Sequence, residues 1–214
     1  MRKLIESNHV SLGGEVGSNE WAFPYLDDDH KAYATQLLFG ADMLLLGRKT
    51  YEGLSAAYPA MPKGEPGVPD DFVDRMNAIP KYVASTTLRE TTWNATGISG
   101  DVAAFVADLK QQPGGNIVKY GNGPLDATLM QHGLIDEFHL LVTPVAAGRG
   151  QHLFEEIDGA PALELLDVRP FRSGVVLLTY APGYTWCFAW RTGGATTYRG
   201  FPRPSSPPSG PPLP

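Results

Sequence analysis

Arg48, Lys49 and Thr50 stand directly behind the apolar run Met43, Leu44, Leu45 and Leu46, separated from it only by Gly47. A short continuous apolar run is the pattern of a central strand covered on both faces. Gly47 lets the chain turn, and two cations and a hydroxyl then enter the first turn of a helix. Basic side chains are mildly unfavourable there because the helix macrodipole is already positive, so their presence calls for an anion. A phosphate suits the corner, since backbone N–H groups, guanidinium, ammonium and hydroxyl converge on one point. A solvated surface pair after an ordinary strand-to-helix turn suits it equally well, and the corner alone leaves both readings standing.

Two other strand exits carry related chemistry. Ser85, Thr86 and Thr87 follow an expected strand over residues 81–85. Their hydroxyls suit a phosphate or a ribose, and they also suit local turn hydrogen bonds, the more frequent use. Gly121-Asn122-Gly123-Pro124-Leu125 follows an expected strand over residues 116–120. Glycines on either side of one residue let the backbone approach a pyrophosphate and present N–H groups to it, although a plain connection has the same form. Nearer the start, a loop with Trp21 and Phe23 either lines a flat ligand or closes over the core, the commoner case.

The elements that must position these exits follow from periodicity and breakers. Strands are expected over residues 4–12, 43–46, 81–85, 116–120 and 134–145, with a final hairpin of 162–171 and 175–180 joined by Arg172-Ser173-Gly174. Helices are expected over residues 27–39, from 48 onward, and over 70–78, 101–111 and 124–132. The proline- and glycine-dense residues 55–71 read as a surface loop, and 148–154 as a loop or turn. Helix and strand alternate to about residue 133 and strands dominate afterwards. The fold class is therefore α/β, a mixed sheet with a parallel centre and an antiparallel edge, flanked by helices. The exits at Gly47, Ser85 and Gly121 would share the carboxyl edge of parallel strands, where open α/β sheets bind ligands, and this raises a dinucleotide site above three separate turns.

Composition excludes several function classes. A formal net charge of -6 without a basic stripe argues against nucleic acid. Glu6 interrupts the apolar stretch behind Arg2 and Lys3, so no signal-peptide core forms, and no apolar run approaches a membrane span. A single cysteine, Cys187, allows no intramolecular disulfide and gives no metal-ligand spacing, which makes the cytoplasm the expected compartment. The histidines are scattered singly. One domain is expected over residues 1–182. In residues 183–214, Trp186, Phe188 and Trp190 alternate as in an edge strand, and the proline- and serine-rich 202–214 reads as disordered or extended. That run suits a groove that reads polyproline II; an appended tail without its own function is the commoner alternative.

The segments Leu44-Leu45-Leu46-Gly47-Arg48-Lys49-Thr50-Tyr51-Glu52, Ser11-Leu12-Gly13-Gly14, Tyr120-Gly121-Asn122-Gly123-Pro124-Leu125, and Gly133-Leu134-Ile135-Asp136-Glu137 through Pro144 to Leu153-Phe154 resemble the dihydrofolate reductase-like superfamily. Within it they are most similar to the branch sharing the reductase (C-terminal) domain of bacterial riboflavin-biosynthesis RibD proteins, over about residues 1–182. The resemblance implies an NADPH-dependent reductase of small heterocycles acting as a homodimer, with hydride passing directly from nicotinamide to an electron-poor ring. It implies that Gly47, Arg48, Lys49 and Thr50 hold phosphates, that Ser85, Thr86 and Thr87 border the adenosine end, and that Gly121, Asn122, Gly123, Pro124 and Leu125 cradle the pyrophosphate. Asn8, Ser11 and the neighbourhood of Trp21 would face nicotinamide and substrate. Two departures stand out: Gly13 replaces the aspartate usual in Ser-Leu-Asp-Gly, and Asn122 replaces a small residue. Neither a proton donor nor the substrate is identified, and a pterin, a ribosylaminouracil, a flavin-like ring and a nitro compound all stay open. A nucleotide-binding module without turnover and an interaction protein working through the tail are the alternatives.

Overall fold

The computed structural model of the protein describes residues 1–17, 19–64 and 68–183. The expected Trp186 strand and the Pro-rich run lie outside the described residues. The described residues form ten strands and five α-helices: β1 (Leu4–Val10), β2 (Glu15–Val16), α1 (Asp28–Phe39), β3 (Ala41–Gly47), α2 (Arg48–Ala57), α3 (Asp70–Ala78), β4 (Lys81–Ala84), β5 (Ala95–Ile98), α4 (Val102–Gln111), β6 (Asn116–Tyr120), α5 (Pro124–Gln131), β7 (Glu137–Val142), β8 (Gln151–His152), β9 (Leu163–Pro170) and β10 (Val176–Pro182). A 3-10 helix spans Asn19–Tyr25.

Eight strands form one sheet in the order β5-β4-β3-β6-β1-β7-β10-β9. The first six are mutually parallel, and β10 then runs antiparallel to both β7 and β9. The architecture is thus the dihydrofolate reductase-like mixed sheet, parallel in the centre and antiparallel at one edge. Strand β3 has its apolar run buried on both faces because helices cover both sides of the parallel part. On one face Met43, Leu45 and Ile117 pack with Val106, Leu109 and Leu129 from α4 and α5. On the other, Leu44, Leu46 and Val118 pack with Leu37 and Leu38 of α1, Tyr51 of α2 and Met76 of α3.

Caps fix where the helices begin. The Asp27 carboxylate accepts the His30 N–H at 2.9 Å and starts α1, and Asp101 accepts the Ala103 and Ala104 N–H groups at 2.8 and 3.1 Å to start α4. Several boundaries differ from the sequence expectation. The first strand stops at Val10, because Ser11 begins a turn that accepts the Gly14 N–H. The glycine-containing stretch behind Tyr51 stays helical to Ala57, so the irregular excursion begins later than residue 55. The expected strand 134–145 shortens to β7, since Leu134 accommodates the end of α5 through its N–H to the Leu129 carbonyl. Residues 148–154 contain β8, a two-residue partner of β2, and Trp21 lies in a 3-10 helix instead of an open loop. Among the described residues no helix is long and apolar enough to cross a membrane.

Candidate functional site

The strand order places β4, β3, β6 and β1 side by side, so their carboxyl ends form one continuous edge. Register pairs Gly47 with Ala84, Leu46 with Tyr120, and Tyr120 with Ser7, which brings the exits at Ser85, Gly47 and Gly121 and the end of β1 into neighbouring positions.

The β3/β4 half of this edge is open. Gly47 caps α2 with an extended backbone (φ -77, ψ 162) that any residue adopts, so conformation does not require glycine here. Apart from its chain neighbours, no atom of the described residues lies within 4 Å of where a β-carbon would project from it. The Arg48 guanidinium donates to both carboxylate oxygens of Glu52, at 2.9 and 3.1 Å, with both side chains close to half exposed. Lys49 is exposed and forms no ion pair among the described residues. The Ser85 hydroxyl accepts the Thr87 and Leu88 N–H groups at 3.2 and 2.9 Å, and Thr86 and Thr87 are exposed. Serine here shapes the turn and the two threonines face outward.

The β6/β1 half is closed and charged. Gly121 has φ +80, and a β-carbon on it would collide with the Thr50 hydroxyl, so the first turn of α2 and the glycine turn are in direct contact. Gly123 (φ +157) has open space where a β-carbon would sit. Its N–H donates to Asp126 Oδ2 at 2.8 Å and is therefore engaged within the protein. Asn122, the departure noted in sequence, reaches the His152 carbonyl at 3.4 Å; Pro124 is exposed and Leu125 half-buried against the α4/α5 face.

Beneath the turn lie three ionisable side chains almost wholly removed from water: Glu6 at 0% exposure, Lys119 at 1% and Asp126 at 3%. Lys119 is ion-paired with Asp126 Oδ1 and, at 3.5 Å, with Glu6 Oε2, and it donates to the Gly121 carbonyl at 2.5 Å. Burial pulls Lys119 downward, but Glu6 and Asp126 outweigh it and hold the amine above its ordinary range. Asn8, buried, spends its amide on Glu6 Oε1 at 2.8 Å.

Around Ser11 the departure at Gly13 acquires a partner. The Ser11 hydroxyl accepts the Gly13 and Glu15 N–H groups and donates to the Glu15 carboxylate. A β-carbon on Gly13 would strike that same carboxylate, so Glu15 fills the space a side chain at 13 would take. The Ser11 bond holds Glu15 below the usual carboxylate range, against a smaller opposing effect of desolvation. Trp21 is half-buried on the 3-10 helix. On the opposite face of β1, His9 and His30 meet with their Nε2 atoms 3.2 Å apart, and burial, with His30 beside it, takes His9 down to about 4.

The structure thus joins Gly47, Thr50, Gly121 and Gly123 at one corner, and places Asn8 and Ser11 in internal hydrogen bonds beside it. Sequence inspection missed Glu6, Lys119, Asp126, Glu15 and the histidine pair. A signal existed for the first two: each charge directly follows an apolar pair near the start of a buried strand, Glu6 behind Leu4-Ile5 and Lys119 behind Ile117-Val118.

Comparison with known proteins agrees with this architecture. A family model for the RibD C-terminal domain matches residues 2–177. The uncharacterized protein YyaP of Bacillus subtilis (strain 168) is 32% identical over 180 residues, covering 84% of this chain and 94% of the relative. A Shewanella sp. PV-4 protein assigned to riboflavin biosynthesis is similar in structure, with TM-score 0.65 and 18% identity over 84% of this chain and 98% of the other. Dihydrofolate reductase from Enterococcus faecalis, solved with NADP(H), matches with TM-score 0.53 and 16% identity over 85% of this chain and 96% of its own. The extent of the family match and the identity to YyaP place the chain in the RibD C-terminal domain family.

Proposed function

We propose that the protein is an NADPH-dependent reductase of a small heterocyclic substrate, similar to 5-amino-6-(5-phosphoribosylamino)uracil reductase or dihydrofolate reductase. A reductase-like role follows from the family; the dinucleotide and the substrate class are the further step. One observation carries it: the first turn of α2 and the glycine turn touch at Thr50 and Gly121, while Gly47 and Gly123 leave unfilled space beside that contact. Cradles of this kind at the carboxyl edge of parallel strands accept the backbone-hugging pyrophosphate of a dinucleotide. When bound, NADPH supplies a hydride to an electron-poor ring.

The chain's own contributions are binding and orientation. Lys49, exposed and without an ion-pair partner among the described residues, offers an ammonium to a phosphate, and Arg48 does so by exchanging its surface pair with Glu52. The α2 N-terminus adds its dipole. Ser85, Thr86 and Thr87 border the adenosine end, and the Ser11–Glu15 turn with Trp21 borders the reacting end.

Titration of NADPH by quenching of protein fluorescence, followed by a screen for NADPH oxidation with pterins, ribosylaminouracils, flavin-like rings and nitro compounds, tests the proposal. Binding with oxidation by one class supports it. Binding without oxidation by any class favours a nucleotide-binding module, and absence of binding to NADPH and NADH overturns the dinucleotide site.

A further inference from the structure

We propose that Lys119, Asp126 and Glu6 act together as a buried clamp that holds the Gly121-Asn122-Gly123 turn in its dinucleotide-accepting shape. The proposal rests on the dinucleotide reading above and assigns positioning roles to three residues outside the contact surface.

The turn has little to hold itself. Both glycines have positive φ and no side chain, so each has a wide choice of backbone conformations. The grip comes from below. The Lys119 ammonium donates to the Gly121 carbonyl at 2.5 Å, and Asp126 Oδ2 accepts the Gly123 N–H at 2.8 Å. Lys119 and Asp126 are ion-paired with each other through Asp126 Oδ1, so the two backbone contacts are tied into one unit. Ordinary packing does not ask for this. Burying an ion pair is costly, and apolar side chains of similar volume usually serve stability as well or better. What charge adds, and apolar packing does not, is direction: a donor aimed at one named carbonyl and an acceptor aimed at one named amide.

Glu6 is the surplus charge. One ammonium and one carboxylate already balance, and Glu6 adds a second carboxylate 3.5 Å from Lys119. The polar groups facing it are Asn8 on its own strand, Lys119 on β6 and Asp126 on α5, while Phe138 stands beside it in β7. Burial pushes the Glu6 carboxyl up to about 8; Lys119 opposes this and Asp126 adds to it. Below that pH Glu6 keeps its proton and the clamp is neutral. Above it, the Glu6 anion, 3.5 Å away, draws the Lys119 ammonium toward itself and off the Gly121 carbonyl, and the grip on the turn loosens.

The test measures NADPH affinity of the full chain on either side of pH 8, for the parent, Glu6→Gln and Asp126→Asn, with melting temperatures in the same buffers. Parent affinity is expected to fall several-fold as the pH rises through that value, and Glu6→Gln, which mimics the protonated acid, to abolish the step. Asp126→Asn is expected to weaken binding about tenfold, the loss of one charge-assisted hydrogen bond. It should also speed hydrogen exchange at the Gly123 amide in the ligand-free protein. A parent pH profile matching that of Glu6→Gln, or an unchanged affinity in Asp126→Asn, overturns the clamp while leaving the dinucleotide site intact. If the parent binds neither NADPH nor NADH, the dinucleotide reading falls, and Gly123 exchange that Asp126→Asn leaves unaltered then removes the clamp as well. Should Asp126→Asn fail to fold, the Glu6→Gln profile decides.

Discussion

The two halves of the carboxyl edge are built by different physics. At the β3/β4 half, charge is on the surface: Arg48 pairs with Glu52 one helical turn away, both close to half exposed, and Lys49 is solvated. At the β6/β1 half, Glu6, Lys119 and Asp126 are buried and their bonds end on backbone atoms of a glycine turn. An exposed i,i+4 pair contributes only about 0.3 to 0.5 kcal/mol and is easily exchanged for a ligand. A buried pair gives up several kcal/mol when one partner is removed and does not rearrange freely. One half is thus suited to capture charge from solvent, and the other to keep a surface fixed.

The largest effect should come from breaking the buried half. Lys119→Met removes the one cation that, among the described residues, pairs with Glu6 and Asp126, and should cost about 3 to 5 kcal/mol of stability, against less than about 0.5 kcal/mol for Glu52→Gln at the surface. Chemical denaturation of both variants measures the contrast; similar losses would abolish the distinction. The pH dependence of stability has a definite sign. Glu6 binds its proton more tightly folded than unfolded, so between its ordinary value of 4.5 and about 8 the folded state holds the extra proton. Its contribution is fully present below 4.5 and is lost as the pH rises through that window. In Glu6→Gln the decline should flatten, and a parent and variant with parallel pH–stability curves would show that Glu6 is ionised at neutrality.

The next effect separates two glycines that look alike in sequence. Gly121→Ala meets the Thr50 hydroxyl and a positive φ together, and should cost about 2 kcal/mol or more of stability. Gly123→Ala has open space and pays only for its backbone angle, about 1 kcal/mol, while placing a methyl group where a pyrophosphate would lie. Melting temperature should fall more for Gly121→Ala; NADPH affinity should fall at a smaller stability cost for Gly123→Ala. The reverse ranking in thermal unfolding would mean that Thr50 moves away freely.

How much of this was legible in the sequence depends on the range of the interaction. The helix at Asp70–Ala78 and the strand at Asn116–Tyr120 match the expected bounds, because caps, prolines and glycines act within a few residues. The strand β5 escaped notice, since Ala-Thr-Gly-Ile buries only Ile98 and carries no periodic pattern. Tyr33 and His139, joined at 3.0 Å across more than a hundred residues, could not be paired without the topology. The same holds for Glu15: its approach to Gly13 depends on a turn closed by the Ser11 hydroxyl, so the missing aspartate was visible and the carboxylate occupying its place was not.

The smallest expected effect lies at the open half and concerns which dinucleotide is preferred. NADPH differs from NADH by a 2′-phosphate, and Arg48 with Lys49 offers it charge-assisted hydrogen bonds worth roughly 1.5 to 3 kcal/mol when sheltered. Exposure lowers this, and Arg48 must also leave Glu52, so the net gain should be nearer 1 kcal/mol, or about fivefold in affinity. Arg48→Ala should therefore weaken NADPH binding several-fold and NADH binding less, while Glu52→Gln, which frees the guanidinium, should strengthen NADPH binding slightly. Raised salt should shrink both differences, because exposed charges are screened. Equal losses for the two cofactors would move Arg48 to the shared pyrophosphate. No loss in either would leave it a surface residue paired with Glu52, and selectivity for the phosphate would then fall to Lys49.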